Sequence, residues 1–251
     1  MVTKVVPGQL VASEDASTVA RDAASRMAKL LRTAIARPGG TGRASLALSG
    51  GNTPRDAYAR LAREEGIEWG KVDVFWVDER AVAPTDDRSN YRWAKATLLD
   101  GAHVPTDRVH RMPADAADRD VAAREYEATV RSKLAVDADG VPAFDVIVLG
   151  VGDDGHTASL FPGEPTVNEH ERLVIAVPAK GSREARMTLS ARAIEHARNV
   201  LVLAVGAAKR PALERVWSAQ GDVLETPARV IRGCRGAVVW IIDRAAGGVA
   251  G

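Results

Sequence analysis

A chain of 251 residues carries 34 Lys and Arg against 33 Asp and Glu, for a formal net charge of +1, with 46% hydrophobic and 27% charged residues. That balance gives no electrostatic case for nucleic acid or an anionic membrane as partner, and no apolar run approaches the length of a membrane span. The single Cys234 excludes an internal disulfide, no Cys/His cluster has zinc spacing, and Met1 to Leu10 lacks an apolar leader core, so a cytoplasmic protein without a metal site is expected, and no obligate protein partner is predicted.

The first predicted element is an amphipathic helix over Ser17–Ala36, ended by Pro38, Gly39 and Gly40. A strand, Ser45–Leu48, follows and runs into Ser49-Gly50-Gly51-Asn52-Thr53-Pro54. Thr53 reads as the N-cap of the next helix, Pro54 as its first residue and Asp56 as the partner in a capping box. Glycines bring backbone N–H groups close to a ligand, and a helix N-terminus favours an anion, so this turn is a candidate phosphate cradle. A tight βα turn with no ligand is the plainer alternative.

The next strand, Val72–Val77, ends in Asp78, Glu79 and Arg80. Arg80 can hold a phosphate bidentately, with Asp78 orienting it or contacting sugar hydroxyls, or the two can be an ion pair closing a sheet edge. In the polar loop Asp86–Arg92, Asn90 is the candidate site residue, and a helix is expected through Leu98 and Leu99. Another, Asp115–Leu134, carries Val121, Tyr126 and Val130 among many charges and reads as an outer helix. Further strands are predicted at Phe144–Leu149, Leu173–Val177, Val200–Val205 and Val238–Ile242. After Val205, Gly206 turns the chain and Lys209 falls in the first turn of a helix reaching Trp217. A cation there opposes the helix dipole unless an anion is bound, which makes Lys209 a phosphate candidate. Strand and helix signals alternate throughout, so the fold class is α/β: a mostly parallel sheet covered by helices on both faces, in one domain over residues 1–244, with a frayed tail from 245 to 251.

The Phe144–Leu149 strand runs into a loop bearing Asp153, Asp154 and His156. Ligands of open α/β sheets bind at the carboxyl ends of strands, so this loop looks like acid–base chemistry. Gly150, Gly152 and Gly155 also spell the dinucleotide fingerprint, but Asp153 and Asp154 would repel a pyrophosphate and Pro162 cuts short any helix. The dinucleotide reading is rejected. His103, His110, His170 and His196 lack such carboxylate company, no Gly-x-Ser-x-Gly elbow exists, and Cys234 lies outside the strand-end loops. General-base catalysis by His156, with Asp154 orienting the ring or shaping the loop, is the sharper expectation.

Taken together, Ser49–Pro54, Asp78–Arg80, Ser89–Tyr91, Gly150–Pro162, Arg186–Leu189 and Gly206–Lys209 occur in the order found in 6-phosphogluconolactonases, which this chain resembles over roughly residues 46–209. The resemblance implies a Rossmann-like fold shared with glucosamine-6-phosphate deaminases. It also implies hydrolysis of a phosphosugar lactone without a cofactor, and a substrate-binding set of Ser49, Gly50, Gly51, Thr53, Asp78, Arg80, Asn90, Arg186 and Lys209 beside His156 and Asp154. One departure stands out: Gly181-Ser182-Arg183-Glu184-Ala185 replaces the proline-rich stretch usual before Arg186, which leaves Lys180 and Arg183 unassigned. The deaminases carry a Glu five residues after the histidine, where this chain has Phe161, so the lactonase is favoured. A non-catalytic sugar-phosphate regulator would have no use for the Asp154/His156 pair.

Overall fold

The computed structural model describes residues 4–248. In chain order its strands are β1 (Gln9–Ser13), β2 (Ala44–Leu48), β3 (Val72–Trp76), β4 (Asp78–Arg80), β5 (Val146–Gly150), β6 (Val174–Val177), β7 (Arg186–Leu189), β8 (Asn199–Ala204) and β9 (Ala237–Asp243). Its α-helices are α1 (Ala16–Ile35), α2 (Asn52–Leu61), α3 (Asn90–Ala94), α4 (Arg119–Lys133), α5 (Ala191–Glu195), α6 (Arg210–Trp217) and α7 (Arg244–Gly247). Six strands form a parallel sheet in the order β1-β9-β8-β5-β2-β3. Every residue of β2 and β3 is buried. Burial at both odd and even positions means that both faces of the sheet are covered, which is why these strands read as continuous apolar runs.

Helix α1 shows how the sequence makes a covering element. The Asp15 side chain accepts from the Thr18 backbone N–H at 2.8 Å and caps it. Val19, Ala23, Met27, Leu31 and Ala34 then recur at helical spacing and are all buried. Small residues on this stripe let the helix lie close to the sheet and to α2.

The chain leaves β2 towards β3 on one side, whereas β5 is followed in the sheet by β8 on the other. The loops after β2 and β5 therefore diverge and open a crevice at their carboxyl ends, the usual place for a ligand.

A second, antiparallel sheet, β4-β7-β6, was not foreseen. The predicted Leu173–Val177 strand belongs to it and not to the parallel sheet. Val77 makes the junction: its N–H donates to Leu48 O at 2.9 Å, and its carbonyl accepts from Leu189 N at 2.7 Å. Asp78–Arg80 is thus a separate short strand set opposite β7.

Several boundaries also differ. Helix α4 starts at Arg119 because Asp118 caps Val121 N at 3.0 Å, and it buries Ala122, Ala123, Tyr126 and Val130 while Val121 stays exposed. After Ala94 the expected helix continues as a π-helical turn over Lys95–Leu99. The tail expected to fray from 245 instead completes α7, capped by Asp243 through Ala246 N at 2.8 Å; residues 249–251 lie outside the described residues. No helix among the described residues is long and apolar enough to cross a membrane.

Candidate active site

The loops after β2, β5 and β8 surround a cavity of about 260 Å³. Ser49, Gly50, Gly51 and Thr53 line it from the β2 side, His156 from the β5 side and Lys209 from the β8 side. Asp78, Arg80, Asn90 and Arg186 complete the wall from the second sheet and α3. Asp154 stands behind His156: its Oδ1 lies 2.6 Å from Nδ1 of the imidazole and accepts from the His156 backbone N–H at 3.0 Å. Eleven positions chosen from sequence therefore fall at one site.

Carboxylate contact at Nδ1 selects the tautomer that leaves the Nε2 lone pair free for a proton. Partial burial works against the charge on Asp154, but the backbone N–H and imidazole of His156 outweigh it and hold the carboxyl below its ordinary value. Gly152 is what lets the pair sit there. A Cβ at Gly152 would lie 2.1 Å from His156 Nδ1 and 2.6 Å from Asp154 Oδ1.

The β2 turn departs from expectation in its capping. Gly51, at φ 106° and ψ 163°, is the N-cap of α2, with no side-chain capping bond, and Thr53 is already the second helical residue. Only glycine takes that φ without strain, and having no side chain it cannot form the capping box with Asp56. The first N–H groups of α2 are left for another acceptor, which strengthens the case for an anion. Tyr58 fixes the turn, its hydroxyl accepting from Ser49 N at 2.9 Å and donating to Ser49 O at 3.1 Å. Gly50 allows Asn90 to approach: a Cβ there would be 1.9 Å from Asn90 Oδ1.

Asp78 does not orient Arg80. Its Oδ2 accepts from Ser159 Oγ at 2.6 Å and lies 3.6 Å from an Arg186 nitrogen, while Oδ1 accepts from Asn90 Nδ2 at 3.2 Å. The register pairs Asp78 with Thr188 and Arg80 with Arg186, so Asp78 and Arg186 are diagonal neighbours across two strands. Arg80 is held instead by donating to Arg88 O at 2.6 Å.

Two arginines of this wall keep a buried nitrogen without a hydrogen-bond partner. Burial lowers the pKa of Arg186, Asp78 offsets part of that, and Arg80 adds to it. The Nε atoms of Arg80 and Arg186 are buried with no hydrogen-bond partner. Arg55, which the sequence reading passed over, lies outside the cavity lining but near Arg80. Its guanidinium lies 3.9 Å over the Trp93 ring, its Nε is buried and unpartnered, and burial and then Arg80 lower its pKa. Arg80, Arg186 and Lys209, brought to one cavity from three elements, suit a doubly charged oxyanion. Lys209 does not lie in the first turn of α6 but in a single 3₁₀ turn before it, and its Nζ donates to Asp153 at 2.7 Å.

Glu79 supports the site from beneath. Only 2% exposed, it accepts from Arg80 N, Asn90 N, Tyr91 N and Ser89 Oγ at 2.8 to 3.0 Å. Burial raises its pKa against those four donors. Glu79→Gln would turn an NH₂ towards backbone donors. The expected loss is about 1–3 kcal/mol of stability in urea melts, with kcat/KM reduced as Asn90 shifts; an unchanged melt would refute the support role.

Elsewhere, His110 and His196 do have carboxylate partners, contrary to the sequence reading: Asp73 at 2.8 Å and Asp137 at 2.5 Å. Neither histidine lines the cavity. Burial, with Glu195 nearby, pushes the Cys234 thiol up to about 12, which suits a packed thiol and not a nucleophile. Among the described residues, the group whose spacing fits a metal ion is Asp137, Asp139 and His196, also away from the cavity.

A histidine held by a carboxylate, facing Arg80, Arg186 and Lys209 at a topological switch point, suits a phosphosugar ligand on an α/β fold. Residues 14–240 match the model of the glucosamine-6-phosphate isomerases/6-phosphogluconolactonase family. The chain is 41% identical to a 6-phosphogluconolactonase of Synechocystis over 82% of this chain and 84% of that one. It is 35% identical to one of Streptomyces coelicolor over 95% and 93%. A 6-phosphogluconolactonase structure from Trypanosoma brucei superposes with a TM-score of 0.84 at 29% identity, over 97% of this chain and 99% of that one. A monomeric glucosamine-6-phosphate deaminase, at 20% identity and a TM-score of 0.78, shares the fold. The chain belongs to the glucosamine-6-phosphate isomerase/6-phosphogluconolactonase family.

Proposed function

We propose that this protein hydrolyses 6-phospho-D-glucono-1,5-lactone to 6-phospho-D-gluconate, the second step of the oxidative pentose phosphate pathway. The 2.6 Å contact between His156 Nδ1 and Asp154 carries the mechanism. In it, His156 Nε2 takes a proton from water as the water oxygen bonds to C1 of the lactone. The resulting oxyanion is met by backbone N–H groups of the glycine loops. It collapses with cleavage of the C1–O5 bond, and the imidazolium returns its proton to O5. An activated ester asks no more than a positioned base and oxyanion stabilisation. Arg80, Arg186, Lys209 and the Ser49–Thr53 turn bind the phosphate, and Asp78 and Asn90 orient Arg186 and the sugar. The catalytic unit is taken as one domain over 1–244, acting in the cytoplasm without nucleic acid, membrane or an obligate protein partner.

The deaminase alternative is disfavoured at Phe161, whose ring centroid lies 4.8 Å from that of His156. An apolar ring there supplies no carboxylate for ring opening or isomerisation. A coupled assay on freshly generated 6-phosphogluconolactone, unaffected by EDTA, beside a glucosamine 6-phosphate control releasing no ammonia, tests the proposal. Ammonia release without lactone hydrolysis would reverse it.

Lys209→Ala should raise KM about 10- to 100-fold with kcat little changed, corresponding to the roughly 1.5–3 kcal/mol of a charge-assisted hydrogen bond. Unphosphorylated gluconolactone should be a poor substrate for the same reason. Equal kcat/KM for the two lactones would remove the phosphate assignment of Arg80, Lys209 and the β2 turn together.

A further inference from the structure

The hairpin before β7, which matched no expected pattern, touches the proposed base through one intermediary. Phe161 has His156 against its ring at 4.8 Å between centroids, and the Arg183 guanidinium carbon lies 4.0 Å from the same ring centroid. Arg183 is itself fixed. Its Nη2 lies 3.3 Å from a Glu164 oxygen and 3.4 Å from Pro178 O, and its backbone exchanges two 3.0 Å hydrogen bonds with Lys180. Gly181, at φ 59°, makes the turn between them. Lys180 Nζ reaches the same Glu164 oxygen at 2.9 Å. Hydrogen bonds from Lys180, and then from Arg183, hold the Glu164 carboxyl below its ordinary range, so this clamp stays charged at neutral pH.

Asp154 restrains the imidazole at one nitrogen, and a ring tethered at one point can still rock about that bond. A surface against the ring removes the freedom, and Phe161, 8% exposed, offers one. Phe161 keeps that position only if something holds its own ring. Arg183 is suited to this, because a guanidinium is attracted to an aromatic face while its N–H groups stay free to bond Glu164 and Pro178.

We infer that Arg183 is a positioning residue for the proposed hydrolysis, acting on His156 through its contact with Phe161. The rate readout rests on the function proposed above; the spectroscopic one does not. Arg183→Ala leaves Lys180 on Glu164, so the clamp retains a cation and folding should survive.

The test combines kinetics with NMR of the histidine rings in labelled protein, His156 being assigned by the resonance missing from His156→Asn. In wild type, ring current from Phe161 displaces the His156 Hε1 or Hδ2 resonance. Arg183→Ala should move that resonance and lower kcat about tenfold, the rate equivalent of a partly desolvated cation–π contact, with KM held. Arg183→Lys should recover part of both. Lys180→Ala, which leaves Phe161 untouched, should match wild type. In a Phe161→Leu background, Arg183→Ala should add little, because the two act in series. Wild-type kcat in Arg183→Ala, an unmoved His156 resonance, a rise confined to KM, or additive losses in the double variant would each overturn the inference. A wild-type protein with no lactonase activity would instead count against the function, leaving the resonance shifts to decide the contact.

Discussion

Replacing His156 with Asn is expected to lower kcat by about 10²–10⁴, the usual worth of a positioned general base, while the thermal melt stays close to wild type. The side chain is about one-third exposed at the cavity, with a single strong hydrogen bond to Asp154, so little of the fold depends on it. Asparagine keeps a polar group of similar reach but cannot take up a proton at neutral pH. The Asp154 carboxyl is held below its ordinary value, so the partner of Nδ1 stays charged. A His156→Asn enzyme with near wild-type turnover would remove this residue from the chemistry.

Gly152→Ala should be nearly as damaging, with kcat reduced by about 10²-fold or more, the cost of displacing a catalytic group by about an ångström. Gly152 is not among the glycines with positive φ, so alanine can adopt its backbone. The whole effect is steric: a methyl would lie 2.1 Å from His156 Nδ1 and 2.6 Å from Asp154 Oδ1, and the pair must part to admit it. Both side chains are partly exposed and can swing outward, so stability should change little. Gly70→Ala, with nothing within 4 Å of the added carbon, is the matched control. If Gly152→Ala retained full turnover, the observed His156–Asp154 geometry would not be the working one.

Much of this site was legible because its parts are local. A buried apolar run announces a strand whatever lies beside it, and a glycine turn at its end announces a place where backbone can meet a ligand. His156 and Asp154 are two residues apart, so a single loop brings them together, although their direct contact needed coordinates. The glycine turn 49–51 was legible as a strand-end turn with free helix N–H groups, while its cap was assigned to Thr53 because the reading weighed side-chain acceptors and not the φ that only Gly51 accepts.

What escaped the sequence is everything set by pairing between distant segments. Val77 bends the chain out of the parallel sheet, and nothing in Val72–Arg80 marks where one sheet ends and the next begins. The partner of Asp78 is Arg186, brought within 3.6 Å by an antiparallel register over a hundred residues away in sequence, and the adjacent Arg80 was the natural but mistaken choice. Arg55 reads as one more surface cation until Trp93 is found beneath it and Arg80 beside it. By itself the sequence determined the α/β class, the strand-end loops that line the cavity and the candidate base, because periodicity, turn residues and short spacings act within one segment. Only the tertiary structure decided which charges face one another, because electrostatic partnership depends on distance in space, and the chain carries no local signal of that distance.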